Sequence, residues 1–505
     1  MPSSVANSIE GLRKHADTTS RLLGLGVCDR CLMRIAGEKY PATLREASSL
    51  IDGHLFCSQP PDQSTPGDDA KISSIVRPAD ASTVCPSCCG LLQESFCNVA
   101  FLTQICDTVQ KSGYTMQTFW CSITMPPAAD VRARSFDEYW DETAFKISGR
   151  LSVKDAWKAV VTPVFTSAFN VRWTGREGLE INIAIENPEM KGKECDVLRK
   201  RYPYAFQEKR DPDGKVKRCM TRHALEKVLL GMSSYDFKQF FPFPPKSLSA
   251  PSQLTQIVCI PSSVFVAGRY LKFSRTVSQT PWMIEEERKG DTSVEELICG
   301  KIKAKFQADS TRFSASGRED IDVRMLGTGR PFAVELINAK VSSLGEMDTI
   351  NLEDDINNSS NGQIAVKSLR IVSRGDMTIL KTGEEEKTKT YSALCSAREA
   401  FTAEDLAKIN SLRTVKTDQW TPVRVLHRRS NAVRPKLIHE LRAEATENPL
   451  QFRLELKTQA GTYVKEFIHS DFGRTDPSIS SILQKDVDCV ELDVTSVDLL
   501  WPPNT

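Results

Sequence analysis

Residues 317–330 read GREDIDVRMLGTGR, packing three carboxylates, three arginines and three glycines directly behind the hydroxyl-rich TRFSAS of 311–316. Two readings compete: a polar hairpin at the surface, or a loop that presents a reactive group. GTGRPF lacks the spacing of a phosphate-binding loop, and a G-x-G fragment alone is a weak signal. The feature with chemical content is an aspartate flanked by arginines, an arrangement that lowers a carboxyl pKa and keeps the group ionised. If the stretch alternates as a strand, Asp320 and Asp322 face one side and Glu319 the other. Spacing therefore leaves Asp320 and Asp322 as equal candidates.

A chain of 505 residues is long enough for about two to four domains. Its 40% apolar and 26% charged content is that of an ordinary globular protein. Lys+Arg 66 against Asp+Glu 65 leaves a net charge of +1, so no global field draws the protein onto a polyanion and a local basic patch would have to do so. No apolar run reaches the roughly 18 residues a membrane helix needs, and the first residues lack the apolar core of a secretory signal. An intracellular protein without a membrane partner is expected, in nucleus and cytoplasm, with a mitochondrial location left open.

The chain has 15 cysteines, an odd and dispersed set that fits reduced thiols better than a disulfide framework. Four of them form two C-x-x-C knuckles, Cys28 and Cys31 in GVCDRCLMRIAG, Cys85 and Cys88 in STVCPSCCGLL. Two thiolates two residues apart hold one tetrahedral ion, and two such pairs complete a closed structural zinc site. Cys89 is an alternative to Cys88, with the two-residue gap favouring Cys88. The insert between the knuckles, with QPPDQSTPGDD, has no apolar period. A closed four-thiolate site supports folding and leaves no position for substrate.

Three regions follow: a zinc-binding accessory region at 1–110, an α/β module with a linker at 111–250, and a third domain at 251–505. FLTQICDTVQKS and RLSVKDAWKAVVTPVFTSAF have helical spacing, whereas LEINIAIENP alternates as a strand ended by Pro188. RKRYPYAFQEKRDPDGKVKR, with Tyr202, Tyr204 and Phe206 among its cations, suits RNA loops or, equally, a solvated hairpin turning at DPDG. FPFPPKSLSAPS reads as a linker. Beyond it, VFVAGRYLKFSR, RFSASGREDIDVRML, RPFAVELIN, KSLRIVS, TPVRVLH, FRLELKTQ and DCVELDVTSVDLLW predict strands. WMIEEERKGDTSVEELICGKIKAKF predicts a helix, FTAEDLAKINSL a helix capped by Thr402 and Asp405, and LEDDINNSSNGQ a flexible loop. The fold class is α+β, with a mixed, mainly antiparallel sheet in the C-terminal half.

H-E-x-x-H and G-x-S-x-G motifs are absent, and His427 is a lone histidine. GREDIDVR, however, resembles the loop of pseudouridine synthases, in which GR-x-D carries the essential aspartate. Gly317, Arg318 and Asp320 take the pattern's places. GTYVK resembles the family's G-T-Y-I-R motif, with Lys465 in place of arginine, and Tyr391 in KTKTYSALC fits the family's tyrosine. With RYLKFSRTVSQTPW, TPVRVLHRRSNAVRP and the cysteine knuckles, the chain is similar to the THUMP-containing synthases that make pseudouridine at positions 54 and 55 of tRNA. The likeness is strong over about 255–505.

The resemblance implies a pseudouridine-synthase fold in the C-terminal half and a THUMP-like module ahead of it. It implies isomerisation of a T-arm uridine by Asp320, acting on sugar or base, without an organic cofactor. It makes Lys465 the counter-ion, Tyr391 a stacking partner for the target base and Tyr463 a neighbour in the pocket. Asp322 is left to orient Arg318 or Arg324. RVLHRRSNAVRPK supplies Arg424, Arg428, Arg429, Arg434 and Lys436 with no acid among them; with Arg318 and Arg324 they are the candidate phosphate contacts. The expected partner is tRNA, bound by a monomer; a non-catalytic RNA-binding or scaffold protein is the alternative.

Overall fold

The alternation in LEINIAIE buries every second side chain of the strand Leu179–Glu186. In the computed structural model, which describes residues 3–56, 84–190, 196–210, 216–219, 222–284 and 287–503, this strand is an inner member of a four-stranded sheet. The order is Arg172–Trp173, Thr118–Thr124, Leu179–Glu186, Gln253–Ile260. The first two pairings are parallel and the last antiparallel. Helix Val99–Lys111 starts at Asn98, whose side chain accepts from Phe101 N, and helix Val153–Phe169 at Ser152, which accepts from Asp155 N. Such caps satisfy amides that have no partner within the helix.

The chain divides into two compact units, residues 1–260 and 261–505. One apolar core runs through the first from Val5 to Leu248, across the expected boundary at 110–111. Part of the proline-rich stretch expected to be a linker packs on this unit: Leu248 is buried and Ser252 Oγ donates to Cys89 O at 2.6 Å. Strands Gln207–Arg210 and Val216–Cys219 pair as the hairpin reading expects. QPPDQSTPGDD and the DPDG turn lie outside the described residues.

The second unit is built on a ten-stranded sheet. Its main order is Ile364–Val372, Val264–Lys272, Arg324–Ile337, Val487–Val497, Lys389–Ala397, Gln451–Thr458, Val433–Ala445, Val415–Trp420, Thr475–Asp476, with Ser310–Ala315 beside Arg324–Ile337. All pairings are antiparallel except that of Arg324–Ile337 with Val487–Val497, so the sheet is mixed. The capping box of Thr402 and Asp405 opens helix Ala403–Ser411 as read from the sequence.

Three expectations are corrected. The helix expected over 282–306 begins only at Val294, where Val294, Ile298 and Ile302 supply a buried stripe; Trp282–Ile284 and Glu287–Lys289 form a hairpin instead. LEDDINNSSNGQ is largely the end of helix Glu346–Ser359, because Leu352 and Ile356, four apart, both reach the core. TPVRVLH is no strand: Val423–Val425 is one 3-10 turn behind Pro422.

The glycines of GTGR have a structural reason. Strand Arg324–Ile337 pairs Met325 with Lys272 but Arg330 with Tyr270, so extra residues bulge out between them. Gly327 and Gly329 take φ of 55° and 75° there, the left-handed region. A Cβ on Gly327 would overlap the carbonyl oxygen of Thr495 on the parallel neighbour. Gly327→Ala is expected to destabilise the second unit by about 3 kcal/mol or more. Urea unfolding measures this, and an unmoved midpoint would refute the bulge constraint.

Candidate active site and metal centre

Cys28, Cys31, Cys85 and Cys88 converge in the first unit, their sulfurs all within 4.8 Å of one another. Cys28 Sγ and Cys88 Sγ are 3.8 Å apart, matching the roughly 3.8 Å edge of a tetrahedron with zinc–sulfur bonds of about 2.3 Å. Cys28 N and Leu92 N point at Cys85 Sγ and Cys88 Sγ, each at 3.3 Å, so amide donors already face thiolate acceptors. The donor set fits a structural zinc held by these four residues. Cys89 is not part of it; its Sγ turns to Met190 Sδ at 3.6 Å.

In the second unit, the loop between strands Ser310–Ala315 and Arg324–Ile337 is GREDIDV. It does not alternate as a strand: Val323 N donates to Asp320 O at 3.1 Å, closing a turn around Ile321 and Asp322. Gly317 has φ 89°, and a Cβ there would meet Lys389 Nζ at 2.8 Å and Arg330 Nη1 at 3.0 Å. Glu319 points inward, away from Asp320. It accepts from Arg330 Nε at 2.6 Å, and the Tyr270 hydroxyl lies 2.8 and 2.9 Å from its two oxygens. Gln279 Nε2 donates to Tyr270 Oη at 2.8 Å and to Gly317 O at 2.9 Å.

The backbone of the turn is gripped from RYLKFSRTVSQTPW. Lys272 Nζ donates to the carbonyls of Val277, Asp320 and Ile321 at 2.9, 3.2 and 2.7 Å. Arg275 Nη1 donates to Asp322 O at 2.7 Å. Burial pushes Lys272 down to about 8. Tyr270, Lys272, Arg275 and Gln279 were given no role in the sequence, although RYLKFSRTVSQTPW, which carries all four, is among the segments that resemble the family, and a lysine ending the apolar strand Val264–Lys272 was a further signal.

With its backbone held, the loop presents Asp320 and Asp322 to cations from elsewhere. Arg424 Nη1 lies 2.9 Å from Asp320 Oδ2, while Arg424 Nε donates to Glu466 Oε1 at 2.7 Å. Lys465 Nζ is 2.7 Å from Asp322 Oδ2 and 3.9 Å from Asp320 Oδ2. Lys465 lies within ion-pair distance of Asp320, but Arg424 is the nearer partner, a residue read from the sequence as a phosphate contact, and Lys465 mainly holds Asp322. Burial alone would raise Asp322, and the hydrogen bond and charge of Lys465 outweigh it, holding the carboxyl below its usual range. Burial likewise opposes the charge on Arg424, and the Glu466 and Asp320 carboxylates reverse that effect and raise its pKa.

Sequence comparison places this geometry. Residues 265–498 match the family described as Pus10, C-terminal, and residues 85–259 that described as Eukaryotic Pus10, N-terminal. The tRNA pseudouridine synthase Pus10 of Homo sapiens is 38% identical over 519 residues, spanning 95% of this chain and 97% of its own. The chain belongs to the Pus10 family. The Xenopus laevis tRNA pseudouridine synthase Pus10 is 36% identical across 97% of this chain and 98% of its own. The Thermofilum pendens protein of the same name is 41% identical over 47% of this chain and 53% of its own.

The other candidate residues of this Pus10-family chain divide into two groups. Tyr391 is half-buried on strand Lys389–Ala397; burial pushes its phenol up, the Arg330 charge opposing this and that of Glu319 adding to it. Tyr463 precedes helix Val464–His469, its backbone clasped by Gln419 and its hydroxyl accepting from Arg429 Nη1 at 3.2 Å. Arg318 and Arg428 are exposed. Arg324 is not a free cation: it forks onto Asp493 at 2.8 and 2.6 Å, which is its partner in place of the expected Asp322. Lys436 donates to Ala460 O at 2.8 Å and supports the GTYVK turn, while Arg434 Nη1 donates to Thr421 Oγ1 at 2.9 Å. Tyr204 of the first unit is 98% exposed, whereas Phe206 is buried.

Metal analysis of Cys28→Ser is expected to show loss of the roughly one zinc per chain that a closed four-thiolate site holds; full retention would exclude Cys28 as a ligand. Arg424→Ala strips the buried Glu466 of its counter-charge, so it should destabilise the second unit more than Glu466→Gln does. A double-mutant cycle followed by urea unfolding should show coupling of about 1–3 kcal/mol; additivity would refute the pairing.

Proposed function

We propose that this chain isomerises uridine to pseudouridine in the T-arm of tRNA, at position 54, 55 or both, with Asp320 as the reacting carboxylate. The observation that carries the reading is Asp320 on a clamped turn, beside Arg424 and Lys465, in a chain of the Pus10 family. The reaction breaks the C1′–N1 bond, turns the uracil and joins C5 to C1′; it is redox-neutral. Asp320 attacks the sugar or the base, or stabilises charge on the separated sugar, and it must be ionised for any of these. Arg424 and Lys465 bring positive charge to within ion-pair distance of it.

Tyr391 offers a ring on which the target base stacks after leaving its RNA helix, a step that about 1–3 kcal/mol of stacking per base helps to offset. Arg318, Arg428 and Arg429 are available to phosphates. We read residues 111–250 as the THUMP-like RNA-binding module, with exposed Tyr204 and the exposed cations Lys200 and Arg201 in support.

Site-resolved pseudouridine mapping on unmodified tRNA tests the reading. The wild-type chain should convert a T-arm uridine, and Asp320→Asn should lower the rate by at least about a thousandfold, roughly 4 kcal/mol of barrier. RNA affinity should hold within about threefold, a change under 1 kcal/mol. Binding without conversion by the wild type would leave the scaffold alternative in its place; full activity of Asp320→Asn would remove the assignment of the carboxylate.

A further inference from the structure

Helix Val464–His469, which carries Lys465 and Glu466, ends in an unusual turn. Ser470, Asp471 and Phe472 have φ of 74°, 49° and 58°, and Gly473 follows at 83°. Three consecutive side-chain-bearing residues in the left-handed region are strained, and such strain persists only where surrounding contacts over-determine it.

Those contacts surround Phe472 on both sides. Asp471 Oδ2 accepts from Val423 N at 3.1 Å, and Asp471 N donates to His469 Nδ1 at 3.1 Å. Gly473 N donates to Ser470 Oγ at 3.0 Å, and Arg474 N to Asp471 O at 3.1 Å. Arg474 Nη2 donates to Thr421 O at 2.8 Å and Asn431 Oδ1 at 2.7 Å, its guanidinium 5.7 Å from the centre of the Trp420 ring. The phenyl ring they frame is 95% exposed. A strained, well-bonded turn that leaves its one large apolar side chain in water has the form of a presenting device.

Its neighbourhood indicates the occupant. Asp471 and Arg474 both clasp the segment 420–431, which carries Arg424, Arg428 and Arg429 with no acid among 421–431. Val423, bonded to Asp471, adjoins Arg424, whose Nη1 is 2.9 Å from Asp320. An exposed aromatic ring on a turn bonded to an arginine-bearing segment, of which Arg428 is exposed, matches single-stranded nucleic acid, in which bases stack and phosphates are neutralised. We propose that Phe472 is a stacking platform for an unpaired RNA base close to the uridine held at Asp320. The proposal rests on the synthase reading for its substrate.

The test uses the full chain and unmodified tRNA, with affinity and conversion measured separately. Phe472→Ala should weaken affinity or kcat/KM by between about 5- and 150-fold, the range that stacking of one base spans. Phe472→Trp should stay near wild type and Phe472→Leu should resemble Phe472→Ala. Phe472→Gly should raise the melting temperature, because it relieves the left-handed strain, and still lose affinity. Equal affinity and conversion for wild type and Phe472→Ala would overturn the proposal while leaving the synthase reading standing, as would full function of Phe472→Leu. A change in self-association with unaltered RNA affinity would overturn it in favour of a second copy. If the wild type converts no uridine, the synthase reading falls, and the affinity difference between wild type and Phe472→Ala still decides whether the ring meets RNA.

Discussion

The ion pair between Glu319 and Arg330, both almost wholly withdrawn from solvent, is the interaction on which the second unit's site depends. Removing two charges from water is costly, and the cost is offset only where geometry is good and the remaining polar atoms are satisfied. Here Tyr270 and Gln279 complete the set on one side and the carbonyl of Ser316 on the other. The network ties the start of the loop to two strands. Because Glu319 is committed inward, its neighbour Asp320 is turned towards Arg424 and Lys465, so a buried carboxylate sets the direction of a half-exposed one.

A second division of labour separates backbone from side chain. Lys272 and Arg275 hold the turn by its carbonyls and leave the carboxylates of Asp320 and Asp322 to Arg424 and Lys465. The Asp320–Arg424 pair is partly open to solvent, and exposed pairs contribute only about 0–1 kcal/mol. It orients the two side chains rather than stabilising the fold.

Much of this was legible in the sequence because it is local. The two C-x-x-C knuckles, the capping box at Thr402 and the alternation in LEINIAIE each depend on residues within a few positions, and each has its expected form. What escaped depends on sheet order. Arg424 lies 104 residues from Asp320 and meets it only through strands that are not sequential neighbours, so a run of arginines reads as a phosphate patch. The loop itself misleads for a related reason: IDV alternates, yet Lys272 and the Asp320–Val323 hydrogen bond win over strand propensity. Helix 346–359 was missed because its acidic, asparagine-rich surface hides the buried pair Leu352 and Ile356.

The four-cysteine cluster carries a consequence for how this chain can vary. Its knuckles are separated by 53 residues, Leu32 to Val84, yet the sulfurs converge on one point. The entropy of closing such a loop grows only with the logarithm of its length, about 0.6 kcal/mol per doubling. Once the metal fixes both ends, changes of length outside the packed helices Pro41–Arg45 and Ala47–Ile51, whose Leu44, Ala47 and Ile51 are fully buried, carry little penalty in closure entropy. The staple therefore lets part of the span between the knuckles change in length while its two ends stay fixed at one point.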